Sequence, residues 1–182
     1  GCGNGDFLRL ATEMGWKAEG FDFDIQATAV ARSNGMSVFC GWIDNLSEMY
    51  EKYDYITMSH IIEHVHQPDN LLAHVHRLLK PGGTVWVETP NINSFGSKKF
   101  GRNWRGLEPP RHLQVFNTKS LITLIESKGF VDLKQRWRGL STFDVFSASG
   151  KVLSNNNFKG KKFLYKIFLA AIFAELYEMI VK

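Results

Sequence analysis

For its first 90 residues the chain alternates short β-forming runs with helical ones, and glycine, proline or a capping residue marks most of the changes. Phe7–Met14 repeats apolar residues at helical spacing until Gly15, and Ala18–Asp22 reads as a short strand ending in an acid. Ile25–Arg32 is a second helix closed by Asn34-Gly35, followed by the strand Ser37–Cys40. Tyr53–Met58 is strand-like, Pro68–Leu79 is a helix with proline near its start, Lys80-Pro81-Gly82-Gly83 is a turn, and Thr84–Glu88 is a β-rich run. Such an order predicts an α/β fold: a doubly wound, mostly parallel sheet with helices on both faces and its ligand at the carboxyl ends of the strands.

The 182 residues, 44% hydrophobic and 22% charged, suit one globular domain and exclude a disordered or low-complexity chain. Two cysteines, Cys2 and Cys40, are too few for a disulfide framework and lack metal-ligand spacing, which points to a reducing, cytoplasmic setting. The N-terminus shows no signal peptide, and it opens inside a glycine-rich turn of the kind that follows a buried strand. The expectation is therefore a domain whose N-terminal strand is missing from the chain. Formal charge is uneven. Residues 1–90 hold 6 Lys and Arg against 12 Asp and Glu, whereas residues 91–150 hold 10 against 4 and residues 151–182 hold 6 against 2. The later half is expected to meet an anion or an anionic surface.

From Pro90 to Gly106 the periodicity vanishes, and a long functional loop is expected there. Asn117–Ser120 caps a helix running through Lys128, Gly129 ends it, and Phe130–Trp137 reads as a strand. Residues 139–160 look irregular. The tail from Phe163 to Val181 is apolar and helical in composition, but Lys166, Glu175 and Glu178 interrupt it, so it does not read as a membrane span. No clear strand is legible after Trp137. The expected division is a core at 1–138, with a substrate loop at about 90–116, and an extension at 139–182.

Gly1-x-Gly3-x-Gly5 opening a helix, with Asp22 at the end of the next strand, has the form of a nucleotide site. Glycines allow close approach of the backbone, the helix start favours negative groups, and the carboxylate can accept from two ribose hydroxyls. The alternative is a tight strand-to-helix turn with a surface aspartate. A dinucleotide fingerprint wants glycine three residues after Gly3, where Asp6 stands, so a nucleoside cofactor without phosphates fits better than a nicotinamide one.

With these residues the runs GCGNGDF, GFDFD, YDYITMSHIIEHVHQPDNLL, LLKPGGTVWVETPN, WRGLEPPRHLQVFNTKSL and SKGF resemble the class I S-adenosylmethionine-dependent methyltransferases. The similarity is greatest to the small-molecule branch related to ubiquinone-biosynthesis O-methyltransferases, and it runs from Gly1 to about residue 138. The resemblance implies a Rossmann-like fold and S-adenosyl-L-methionine as cofactor. It places Gly1, Gly3 and Gly5 under the methionine part and sugar, Asp22 on the ribose, Phe23 beside the adenine, and Ser59 and His60 near the transferred methyl. In the family a polar residue, often Asp, commonly follows the strand equivalent to Val38–Cys40 and meets the adenine amino group. Here Gly41-Trp42-Ile43-Asp44 stands there, and Trp42 would stack on the adenine.

His60-Ile61-Ile62-Glu63-His64 matches H-x-x-E-H, a zinc-peptidase signature, but a strand precedes it and Gln67-Pro68 follows too soon for the helix such a site needs. Some relatives implied by the resemblance bind a divalent metal here, which makes Glu63 and His64, with His60, weak metal candidates. The blander reading has Glu63 and His64 fixing the helix and loop while His60 faces substrate. Methyl transfer from a sulfonium needs proximity and orientation, and a hydroxyl acceptor benefits from a base, for which His60 and His112 are the candidates. Arg111, Arg105, Arg102, Lys98 and Lys99, interleaved with Phe95, Phe100 and Trp104, suggest an anionic small molecule or lipid-linked glycan as acceptor. Trp104, Arg105 and Arg111 are its expected binding residues. A solvated loop is the second reading and nucleic acid the third. Lys159, Lys161, Lys162 and Lys166 beside apolar residues suit either a peripheral membrane contact or a packing helix.

The sequence thus predicts methyl transfer to a small molecule, at oxygen. The alternatives are a nicotinamide-dependent oxidoreductase and a non-catalytic scaffold. Oligomeric state is not legible.

Overall fold

The structure, a computed structural model, describes residues 1–46, 49–137, 148–149 and 177–181. It divides into two compact units, Gly1–Lys52 and Tyr53–Lys182.

In the first unit α1 (Asp6–Glu13) leads to β1 (Glu19–Asp22), α2 (Ile25–Ser33) and β2 (Ser37–Cys40), all close to the expected spans. Strands β1 and β2 pair in parallel, Glu19 opposite Ser37 and Asp22 opposite Cys40. Parallel neighbours need a crossover, and α2 supplies it. Its start is fixed by Asp24, whose Oδ1 accepts from the backbone N–H groups of Gln26 at 2.8 Å and Ala27 at 3.1 Å. A small core of Leu8, Ala31 and Val38 joins helices to strands, with Cys2, Ala18 and Met36 against it. Gly20 makes that closeness possible, since a Cβ there would lie 2.5 Å from Leu8 Cδ1 and 2.7 Å from Cys2 Sγ.

The second unit holds β3 (Tyr53–Ser59), α3 (Pro68–Leu78), β4 (Leu79–Thr89), α4 (Phe95–Phe100), α5 (Thr118–Glu126), β5 (Lys134–Trp137) and β6 (Tyr177–Val181). The sheet order is β3-β4-β6-β5, with β3 and β4 parallel and β6 antiparallel to both its neighbours. Leu72, Val75, Leu121 and Ile125 from the helices and Val85 and Val87 from β4 are almost fully buried.

The structure corrects the sequence reading in four places. The turn Lys80–Gly83 lies inside the strand span as a register slip: Tyr53 faces Leu79, yet Tyr55 already faces Thr84. The stretch from Pro90 to Gly106 contains α4 and a 3₁₀ turn at Gly101–Asn103, because Ser94 Oγ accepts from Ser97 N–H at 3.1 Å and starts a helix too short for periodicity to reveal. The strand expected from Phe130 is shorter and starts at Lys134. Finally, Tyr177–Val181, expected as part of a helix, is strand, and it closes the sheet that seemed to lack a closing strand. The irregular stretch 139–160 lies outside the described residues apart from 148–149, as does the tail from Phe163 to residue 176.

Candidate functional site

The first unit carries the predicted nucleoside residues. Gly3 and Gly5 have φ of +54° and +86°, left-handed values that glycine adopts without strain, and a Cβ at Gly3 would meet nothing within 4 Å. Open space beside a bare backbone is what close approach of a ligand requires. Gly3 N–H donates to Asp22 Oδ2 at 2.8 Å, and Asp24 N–H donates to Asp22 Oδ1 at 2.9 Å. Both carboxylate oxygens are thereby oriented while each keeps acceptor capacity. The backbone nitrogens of Gly1 and Cys2 both donate to the carbonyl of Phe21, tying the loop to β1. Just past the ends of β1 and β2, Phe23 and Trp42 stack with ring centroids 5.0 Å apart and planes at 6°, exposed to 63% and 61%. Two parallel exposed rings offer a platform for a flat base. The side chain of Asp44 lies outside the described residues. Asp6, at the first position of α1, is exposed and would face a pyrophosphate bound there with like charge.

In the second unit Ser59 ends β3, and His60 follows with φ of +54°. Its backbone N–H donates to the carbonyl of Glu88 at 2.9 Å. The imidazole stands beside two buried carboxylates, Nδ1 being 3.1 Å from Glu63 Oε1 and Nε2 3.7 Å from Glu88 Oε1, with 42% of the side chain exposed. Glu63 is fully buried, and Thr89 Oγ1 donates to its other oxygen at 2.9 Å. Burial pushes the Glu63 carboxyl up, but hydrogen bonds from His60, from backbone and from Thr89 outweigh it and hold the group below its ordinary value. An ionised carboxylate only accepts, so His60 Nδ1 carries a proton toward Glu63, while Nε2 stands beside the second carboxylate, Glu88. Ser59 Oγ donates to Glu88 Oε2 at 3.0 Å.

Sequence reasoning missed Glu88 and Thr89. Their signal was a charge and a hydroxyl at the end of Val85-Trp86-Val87, a run that β4 buries on both faces. It also missed Glu108. Arg105 and Arg111, expected to be available to an acceptor, both pair with Glu108 Oε1, at 2.7 and 2.9 Å. Trp104, expected to cover a substrate ring, is 4% exposed and lies against Gly106. Lys98 and Lys99 stand in the last turn of α4, with Lys99 Nζ 5.7 Å from the Phe95 ring centre. Asn91 Nδ2, just past β4, is buried without a hydrogen-bond partner among the described residues.

The H-x-x-E-H segment forms no peptidase helix: Ile62–His64 is a single 3₁₀ turn, and His60 lies outside it. Instead, His112 joins Glu63 and His64. The two imidazoles meet edge to face at 4.7 Å, and His112 is tied through Nδ1 to the Gly106 carbonyl at 2.7 Å.

A methyltransferase domain family matches residues 1–135. The chain belongs to that family. A ubiquinone biosynthesis O-methyltransferase of Pseudomonas syringae pv. tomato is 34% identical over 100 residues, 51% of this chain and 43% of that protein. The chain thus spans less than half the length of the curated relatives it matches. The crystal structure of a SAM dependent methyltransferase from Archaeoglobus fulgidus superposes with a TM-score of 0.70 at 20% identity, covering all of this chain and 83% of that one. A SAM-dependent methyltransferase from Thermotoga maritima gives 0.62 at 27% identity, over 74% of this chain and 63% of that one. The methyltransferase domain therefore has the Rossmann-like fold read from its sequence. The glycine backbone, oriented Asp22 carboxylate and aromatic pair suit a nucleoside with no phosphate. Among the described residues no helix is long and apolar enough to cross a membrane.

Proposed function

We propose that the domain transfers the methyl group of S-adenosylmethionine to an oxygen of a small-molecule acceptor, with His60 as the base. The observation that carries this reading is the His60–Glu63 pair. A buried carboxylate orients the Nδ1 side of a partly exposed ring and Glu88 stands 3.7 Å from Nε2, two carboxylates that would stabilise the imidazolium a general base becomes on taking a proton. Oxygen as the acceptor atom is supported by the curated relatives, whose names are those of O-methyltransferases.

When bound, S-adenosylmethionine supplies an activated methyl on a sulfonium, so the protein's work is alignment, water exclusion and removal of one proton. Gly1, Gly3 and Gly5 would hold the cofactor's sugar and methionine part, Asp22 the ribose hydroxyls, and Phe23 and Trp42 the adenine. His60 would receive the acceptor's hydroxyl proton as the oxygen gains the methyl carbon, whose bond to sulfur would break with its electron pair left on sulfur, giving S-adenosylhomocysteine. His112, 5% exposed on its side chain, is less open to an acceptor and serves as the second candidate. Arg105 and Arg111 bind a carboxylate or phosphate on the acceptor by exchanging it for Glu108, beside the wall made by Trp104. The two guanidiniums already converge on one carboxylate oxygen, which is the geometry an anionic acceptor would take over.

Turnover with methyl-labelled S-adenosylmethionine and a panel of phenolic and anionic hydroxyl acceptors tests the reading. His60→Ala is expected to lower turnover by about 10²-fold or more with little change in affinity for S-adenosylhomocysteine. Undiminished turnover in that variant would remove His60 as the base, and no product from any acceptor would favour a binding scaffold.

A further inference from the structure

Arg105 and Arg111 are read above as taking the acceptor's anion; on that footing we propose that Glu108 competes for them as a tethered carboxylate, and that the acceptor group able to displace it is a phosphate monoester. Glu108 Oε1 accepts from Arg105 Nη2 at 2.7 Å and from Arg111 Nη1 at 2.9 Å. A guanidinium carries five N–H donors. Each arginine therefore spends one on Glu108 and keeps the rest, which have no other side-chain partner among the described residues.

A carboxylate on a free ligand brings the same charge and the same two oxygens as Glu108, and it must displace a group that the chain itself keeps beside the arginines. Tethering acts as an effective concentration of millimolar or more, so a ligand of equal chemistry is at a disadvantage. A phosphate monoester differs in two ways. It carries about −1.5 to −2 charge near neutral pH, and it offers three acceptor oxygens. Those oxygens can engage both guanidinium forks through N–H groups that a single carboxylate oxygen leaves unused.

The backbone fixes Glu108 while its side chain keeps the freedom to swing. Its φ is +29°, a left-handed value that a β-carbon disfavours, and its carbonyl accepts from Arg111 N–H at 2.9 Å and His112 N–H at 3.2 Å. Oε2 lies 3.8 Å from His112 Nε2, beyond hydrogen-bond reach, so the hydrogen bonds that retain the carboxylate are on one oxygen. The Arg105 and Arg111 side chains are 47% and 69% exposed against 18% for Glu108, which lets a ligand reach the guanidiniums from solvent. The same segment is fastened beside the candidate base. Leu113 N–H and Gln114 N–H donate to the Glu63 carbonyl at 2.8 and 3.2 Å, His64 Nδ1 is 2.8 Å from the Arg111 carbonyl, and Glu63 is the partner of His60.

Three probes that share a phenyl ring separate charge from shape: phenyl phosphate, close to two negative charges at about pH 7.5; phenyl sulfate, similar in shape with one charge; and benzoate. Calorimetric titration of the full chain is expected to show phenyl phosphate binding at least tenfold tighter than either of the others. Arg111→Gln should weaken phenyl phosphate at least tenfold, and Glu108→Gln should tighten the two singly charged probes at least threefold and narrow their gap to phenyl phosphate. Weaker binding of all three in Glu108→Gln overturns the competition, since Glu108 would then be a support for the arginines. Should that variant fail to fold, the unsubstituted chain decides, because equal affinity for phenyl phosphate and phenyl sulfate overturns the preference. Equal binding of all three probes that Arg111→Gln still weakens overturns the preference alone, whereas binding of no probe, or binding indifferent to Arg111→Gln, overturns the arginine reading with it. Phosphatidylcholine vesicles with and without phosphatidic acid distinguish the source of the phosphate. Sedimentation only with phosphatidic acid, lost in Arg111→Gln, supports a lipid-borne phosphate, and phenyl phosphate binding without sedimentation supports a soluble one.

Discussion

At Gly20 a single hydrogen atom decides whether α1 and the glycine loop can lie on β1. A methyl group would enter space held by Leu8 and Cys2, neither of which can swing into solvent without breaking the small core. Gly20→Ala is expected to destabilise the domain by about 1–3 kcal/mol, read as a fall in denaturation midpoint, and to weaken S-adenosylhomocysteine binding because Cys2 is part of the loop. Glu63 makes a different residue-scale prediction. Its carboxyl is held below its unfolded value of about 4.3, so the stability it contributes is complete above that pH and disappears as pH falls through the lowered folded value. Between neutral pH and about pH 3 the unsubstituted chain should therefore lose more stability than Glu63→Gln, measured by urea denaturation at each pH. Parallel loss in both would show that the carboxylate contributes nothing to acid sensitivity. Neither effect was legible in the sequence: Gly20 looked like one small residue in a strand, and Glu63 like half of an E-H pair.

Among the elements, β6 has the largest consequence for its length. Five residues pair on one side with Val85–Thr89 of β4 and on the other with Lys134–Trp137 of β5. Without them β4 would present an unpaired edge and β5 would lose its hydrogen-bonded neighbour. A chain ending before Tyr177 is expected to lose its cooperative thermal transition and to aggregate, followed by circular dichroism and light scattering. A transition unchanged in sharpness and midpoint would show that the sheet does not depend on β6. The strand was misread because Phe163–Val181 is mostly apolar, and an apolar run has no period that separates helix from buried strand. By contrast α2, α3 and α5 were legible to within two residues at each end, since Asp24, Pro68 and Asn117 mark their starts by local chemistry. Asn117 even completes a reciprocal cap with Ser120.

For the whole molecule, the acidic 1–90 stretch contains the glycine loop, Asp22 and His60, and the basic remainder contains the loop with Arg105 and Arg111. Glu108 moderates that basic character by holding both arginines. Cofactor class is a property at this scale, and it predicts a thermal shift. S-adenosylhomocysteine at 100 times its dissociation constant should stabilise the chain by about 2.7 kcal/mol. NAD at the same concentration should leave the melting temperature unchanged, because Asp6 stands where a pyrophosphate would lie. Stabilisation by NAD alone would reverse the assignment.

The sequence by itself determined the alternation of strands and helices and the family, and it supplied the residues proposed for the nucleoside. Each rests on local pattern: side-chain period, capping chemistry, glycine at left-handed φ, an acid at a strand end. Only the tertiary structure decided what stands next to His60, that Glu108 answers the two arginines, that the chain's last strand lies in the sheet, and that His112 joins Glu63 and His64. Those are contacts between residues about 25 to 100 positions apart in the chain, except for the His60–Glu63 pair and the Glu108 cluster, where a turn or folded loop brings near neighbours to one carboxylate. Residue types show that such contacts are chemically available, but the path of the backbone chooses among them.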